Sequence, residues 1–203
     1  MKRFITLLLP LLLCTLAGSA ASASGDILDR CAAKIKSAPS LYVTYTVSAD
    51  GHSADGQLVI QGDMFTISSP GLRSWYDGKT QWTYSSQIGE VNIITPTPEE
   101  VSQINPLAII KTFSTAYTSQ PLKAPAGKTA VRLKAKNSKA DITSADITIN
   151  DKTLYPTRIT LAMTNNQKVT LDIRSVSTGS RLPADDFRFD SRRFPGVNVV
   201  DLR

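Results

Sequence analysis

The chain has 203 residues, of which 41% are hydrophobic and 20% charged, and it carries a formal net charge of +6. That composition belongs to an ordinary folded domain and excludes disordered and fibrous chains. The basic residues are dispersed among apolar and small ones, which argues against a nucleic-acid surface.

Lys2 and Arg3 precede Phe4–Ala17, a nearly unbroken apolar run, and Ala21-Ser22-Ala23 fits a small-residue cleavage site. Residues 1–23 are therefore predicted to be a cleaved signal peptide, and 24–203 a single exported domain. The run is short of the ~20 residues that a membrane-spanning helix needs. Leu13 stands where lipid attachment at Cys14 would want a small residue. Loss of Lys2 and Arg3 lowers the net charge to about +4. Cys31 is then the sole cysteine, and it reads as a buried small hydrophobe.

Ser24 or Asp26 is predicted to cap a first helix. Ile27, Leu28, Cys31 and Ile35 share one face of it, and Pro39 ends it. The period then changes from helical to two. Leu41, Val43, Tyr45 and Val47 alternate with polar residues, and Asp50-Gly51, Gly62-Asp63, Pro70-Gly71 and Asp77-Gly78 mark turns between short strands. Thr97-Pro98-Glu99-Glu100 interrupts this meander with a capping box. A second helical start follows at Asn105-Pro106, where Leu107, Ile110, Phe113 and Tyr117 form one stripe as far as Pro121. Alternation resumes through Val131, Ile147, Ile159, Leu171 and Phe187-Arg188-Phe189-Asp190 to Val197–Leu202.

The expected fold is α+β and mainly β. It is one strongly curved antiparallel sheet of about ten strands, an unclosed half-barrel capped by two helical segments. Two readings of its apolar face stay open. The helices fill the concavity as an ordinary core, or they leave an apolar cavity for a ligand.

Enzymatic chemistry has little to work with. His52 is the single histidine and sits beside a turn, and no Gly-x-Ser-x-Gly elbow accompanies it. One histidine with Cys31 cannot build a zinc site. Glu99 and Glu100 read as helix-start residues, and Asp185-Asp186 as a turn or short-helix start. No catalytic residue, metal or cofactor is expected.

Three segments carry a family resemblance: Gly56-Gln57-Leu58-Val59-Ile60 leading to Phe65, Asp77-Gly78-Lys79-Thr80-Gln81-Trp82-Thr83-Tyr84, and the close from Phe187-Arg188-Phe189-Asp190 through Phe194-Pro195-Gly196-Val197 to Val200-Asp201-Leu202-Arg203. They resemble the bacterial outer-membrane lipoprotein carriers (LolA-like). The resemblance implies a monomeric periplasmic protein that shields the acyl chains of lipoproteins. It would receive them from an inner-membrane ABC transporter and pass them to an outer-membrane receptor or membrane. A lipid- or lipoprotein-sensing module on the same scaffold is the alternative; an envelope hydrolase using an aspartate such as Asp77 or Asp186 is a more remote one. The cavity wall is expected from Leu58, Ile60, Phe65, Ile67, Trp82 and Tyr84, and a helical lid from Leu107, Ile110, Phe113 and Tyr117. Better-known members latch the lid with an arginine after the second strand. The matching stretch here, Gln61-Gly62-Asp63-Met64-Phe65, has none.

Overall fold

Residues 20–203 are described by a computed structural model; the apolar run Phe4–Ala17 lies outside them. Helix α1 (Ala20–Ser37) starts ahead of the predicted caps and runs through the predicted cleavage site. Its apolar stripe is as expected, with Ile27, Leu28, Cys31 and Ile35 all buried. Burial pushes the Cys31 thiol up to about 12, so it stays protonated and packs as a hydrophobe.

Six strands follow: β1 (Ser40–Ala49), β2 (His52–Gln61), β3 (Met64–Ser69), β4 (Leu72–Tyr76), β5 (Gln81–Ser85) and β6 (Glu90–Ile94). The helical insert comes next, as α2 (Pro98–Ile104), a 3-10 turn (Pro106–Ala108) and α3 (Ile109–Ala116). Then come β7 (Tyr117–Leu122), β8 (Lys128–Ala135), β9 (Ile142–Asn150), β10 (Pro156–Met163) and β11 (Lys168–Gly179). Two further 3-10 turns (Ala184–Phe187 and Ser191–Arg193) lead to β12 (Asn198–Asp201).

The strands form one twelve-stranded sheet in the order β12-β6-β5-β4-β3-β2-β1-β11-β10-β9-β8-β7. It consists of two meanders, β1–β6 and β7–β11, joined where β1 pairs with β11. A sheet this wide has to curl. A bulge at Thr44/Tyr45, where Arg174 is the extra residue on β11, adds local twist at that junction.

Connectivity then places the helices. Strand β6 lies near one edge of the sheet and β7 forms the other. The insert between them must therefore cross a face, and it crosses the concave one. Its residues Leu107, Ile109, Ile110 and Phe113 join α1 and the inward side chains of the sheet in a single core. Thr97 and Glu100 make the predicted capping box: Glu100 N–H donates to Thr97 Oγ1 at 3.3 Å, and Thr97 N–H to Glu100 Oε2 at 2.7 Å.

Four expectations change. The described residues form twelve strands, not about ten. The helical stripe stops at Ala116, and Tyr117 opens edge strand β7, where Pro121 is tolerated because an edge has free N–H positions. Phe187 and Phe189 do not form a strand; the first ends a 3-10 turn and both belong to a strap across the outer face. The closing strand β12 pairs with β6 in parallel, so the sheet is not purely antiparallel.

Candidate functional site

Opposed residues of an antiparallel pair point to the same side, so register assigns every strand residue to a face. Leu58 faces Ile67 and Ile60 faces Phe65 across β2 and β3. Phe65 faces Tyr76, and Tyr76 faces Gln81. These residues line the concave side, beneath the helices.

Trp82 and Tyr84 are on the other side. Trp82 opposes Trp75, and Tyr84 opposes Arg73, on the convex face. There Trp75 packs edge-on against Phe189 and Phe194, with ring centroids 5.6 and 5.5 Å away, and Tyr84 meets Phe194 at 4.9 Å. These two expected wall residues are therefore corrected: both lie on the convex face, where Tyr84 packs against Phe194 of the C-terminal strap.

Most of the concavity is filled. Leu58 and Ile60 are 2% and 4% exposed under the helices. The expected lid residues Leu107, Ile110, Phe113 and Tyr117 are all buried, and Ile110 has no exposed surface. Filling is incomplete toward the β3–β4 and β10–β11 turns. There a cavity of about 390 Å³ remains, bounded by Tyr45, Val47, Ile67, Leu72, Val169 and Leu171 of the sheet and by Gln103 and Ile104 of α2. Ser69, Ser74, Gln81 and Thr83 complete it, and none of its lining residues is charged. A smaller hollow of about 310 Å³ lies beside it, between Phe65 and Tyr76 of the sheet and Val101, Ala108 and Lys111 of the insert. A hollow of about 550 Å³ on the convex face, under the strap, is walled by arginines, aspartates and aromatic rings. Its charged rim suits hydrocarbon poorly.

Of the expected wall residues, Ile67 borders the main cavity and Phe65 the smaller one. Tyr45, Val47, Leu72, Ile104, Val169 and Leu171 were not expected there. The signal of the sheet residues lay in strand alternation and that of Ile104 in the helical insert, but which of the inward residues remain uncovered depends on where α2 stops.

The β2–β3 turn touches the helical insert despite its missing arginine. Lys111 of α3 reaches down, and its Nζ donates to the Gly62 carbonyl at 2.5 Å and to Asp63 Oδ1 at 3.1 Å. The cation is supplied by the helix and the acceptors by the turn.

Among the described residues, no group of three or more His, Cys, Asp or Glu is placed to hold a metal ion. No described helix is long and apolar enough to cross a membrane.

Comparison with known proteins places this geometry. A protein of Bordetella avium (strain 197N) named outer-membrane lipoprotein carrier protein is 27% identical over 209 aligned positions, which cover 94% of each chain. An uncharacterized conserved protein from Thermus thermophilus has a similar structure, with a TM-score of 0.59 at 11% identity over 88% of this chain and 99% of that one. A DUF1329 family protein from Desulfovibrio piger ATCC 29098 gives 0.52 at 11% identity over 83% and 97%. These two likenesses show the fold. The family model described as outer membrane lipoprotein carrier protein LolA matches residues 13–167, and the chain belongs to that family.

Proposed function

We propose that this protein carries acylated lipoproteins across the periplasm, holding acyl chain against the concave face of the sheet. The observation that carries the reading is the uncharged cavity under α2, roofed by an insert that runs from β6, next to one edge of the sheet, to β7 at the other. Burial of acyl chain contributes about 0.8 kcal/mol per CH₂. The present cavity is near the lower end of the ~300–1,000 Å³ usual for ligand sites. Larger cargo would lift α2 and α3 from the sheet, and their own buried apolar stripe would compete with cargo for the same face. That competition keeps affinity low enough for release.

In this reading the lid is the whole insert, with Leu107, Ile110 and Phe113 as its underside and Tyr117 as its hinge into β7. The chain acts as a monomer. It receives cargo from an inner-membrane ABC transporter and delivers it to an outer-membrane receptor or membrane. Cleavage near Ala23 would leave Ile27, Leu28, Cys31 and Ile35 in place, so the exported form keeps its core.

The test adds purified protein lacking residues 1–23 to spheroplasts that hold a labelled triacylated lipoprotein in the inner membrane. Soluble lipoprotein in a one-to-one complex is expected. Ile104→Asp, at a partly exposed cavity position, should fold and fail to capture cargo, because it places a charge where an acyl chain would lie. Absence of release by folded wild-type protein, alongside a working carrier, would overturn the reading.

A further inference from the structure

The cavity holds a polar group that hydrocarbon alone does not need. Ser74 and Gln81, on neighbouring strands β4 and β5, are 1% and 3% exposed, and both line the cavity together with Thr83. Ser74 Oγ reaches the Trp82 carbonyl at 3.1 Å and Thr83 Oγ1 at 2.7 Å, and either hydroxyl of that pair can be the donor. Gln81 Nε2 donates to Thr83 Oγ1 at 2.9 Å, with a longer contact of 3.4 Å to Ser74 Oγ. These contacts hold the amide. The nitrogen faces the hydroxyls, and Gln81 Oε1 is left buried with no hydrogen-bond partner. Such an oxygen is costly to leave unpaired, and most buried polar groups in folded proteins are paired.

We propose that Gln81 Oε1 is the recognition point for cargo. The ligand class is an acyl chain whose polar end carries a neutral hydrogen-bond donor, an amide N–H or a hydroxyl. Neutrality follows from the lining, which offers no carboxylate to a cation and no cation to an anion. The oxygen has no solvent contact in this closed form. Its donor therefore arrives when cargo spreads the insert from the sheet. The proposal rests on reading the cavity as the acyl site and specifies which acyl compounds it prefers.

The experiment measures displacement of the fluorescent probe 1-N-phenylnaphthylamine by dodecanamide, dodecanol and methyl dodecanoate. The three share a chain and differ in their donor. The amide and the alcohol should bind about tenfold more tightly than the ester, the scale of one buried hydrogen bond. Whichever of the two binds more tightly names the donor. Gln81→Leu should abolish the preference, so that within the variant the amide and the alcohol bind no more tightly than the ester; Gln81→Met serves the same purpose if leucine disturbs folding. Thr83→Val, which releases the amide nitrogen, should weaken the preference. If the wild-type protein binds the ester as well as the amide and the alcohol, or if Gln81→Leu keeps the preference, the proposal fails and the carrier reading stands. If no compound displaces the probe, both fail.

Discussion

At the scale of single residues, Gly56 shows how a backbone position shapes the cavity. Glycine inside a strand usually weakens it. Here it lies directly opposite Tyr45, and a Cβ added to it would stand 2.4 Å from the ring at Cζ. The missing side chain lets the Tyr45 ring lie flat along β2, where it is 7% exposed and forms one wall of the cavity. Burial also raises the pKa of its hydroxyl. Gly56→Ala is expected to push the ring off β2 and cost about 1–3 kcal/mol, the usual penalty for overpacking. In a Tyr45→Ala background the same substitution should cost much less, because the clash is gone. Urea denaturation of the four proteins gives the coupling; additive costs would mean that the ring is not what Gly56 accommodates. Gly56 stands in one of the segments that resemble the family, but nothing in the sequence names its partner. Register alone brings residues 45 and 56 together.

At the scale of elements, the insert was the most legible part of the chain. Thr97, Pro98 and Glu100 announce a helix start by local chemistry, and the helix begins there. Tyr117 misled because it falls ten residues after Leu107 and so extends a 3.6-residue stripe, although the chain has already turned into β7. Trp82 and Tyr84 misled for a different reason. Alternation shows that one face of β5 is apolar but not what meets it, and Tyr84 is met there by Phe194, more than a hundred positions away. The Lys111 contact was illegible altogether, since a lysine on an exposed helix face has many possible partners. It joins α3 to the β2–β3 turn through one carbonyl and one carboxylate, the latter largely exposed. Exposed ion pairs contribute about 0–1 kcal/mol, so Lys111→Met should scarcely alter global stability. It should instead speed local opening. Amide exchange within Ile109–Ala116 is expected to rise while β1 and β11 keep their protection. Unchanged exchange in α3 would show that packing alone holds the insert.

At the scale of the whole molecule, the two faces of one sheet are divided between two coverings. Helices cover the concave face, and the C-terminal strap covers the convex face near β4 and β5. On the carrier reading proposed above, the insert would move without unravelling the sheet edge, because β12 and the strap hold β6 from the other side. The strap is fixed to the scaffold at separate points. Gln61 Nε2 donates to the Leu182 carbonyl at 2.9 Å, and Leu182 N–H returns a bond to Gln61 Oε1 at 2.7 Å. Farther along, Asp77 in the β4–β5 turn accepts from the N–H groups of Lys79 and Thr80 at 3.1 and 2.9 Å and from Arg188 Nε at 3.1 Å. Burial works to raise the Asp77 pKa, but these bonds outweigh it and the net shift is downward from the ordinary 3.8. A depressed carboxyl contributes stability that is complete above its unfolded value and lost as pH falls through its lower folded value. Asp77→Asn should therefore destabilise the protein near neutral pH, and the gap from wild type should close as both are acidified to about pH 3 and below. Denaturant unfolding at several pH values measures that gap. Because Trp75 sits between Phe189 and Phe194, its emission should report release of the strap over the same range, in a Trp82→Phe background that leaves it the only tryptophan. A gap that stays constant with pH would mean that Asp77 acts only by shaping its turn, with no ionic hold on the strap.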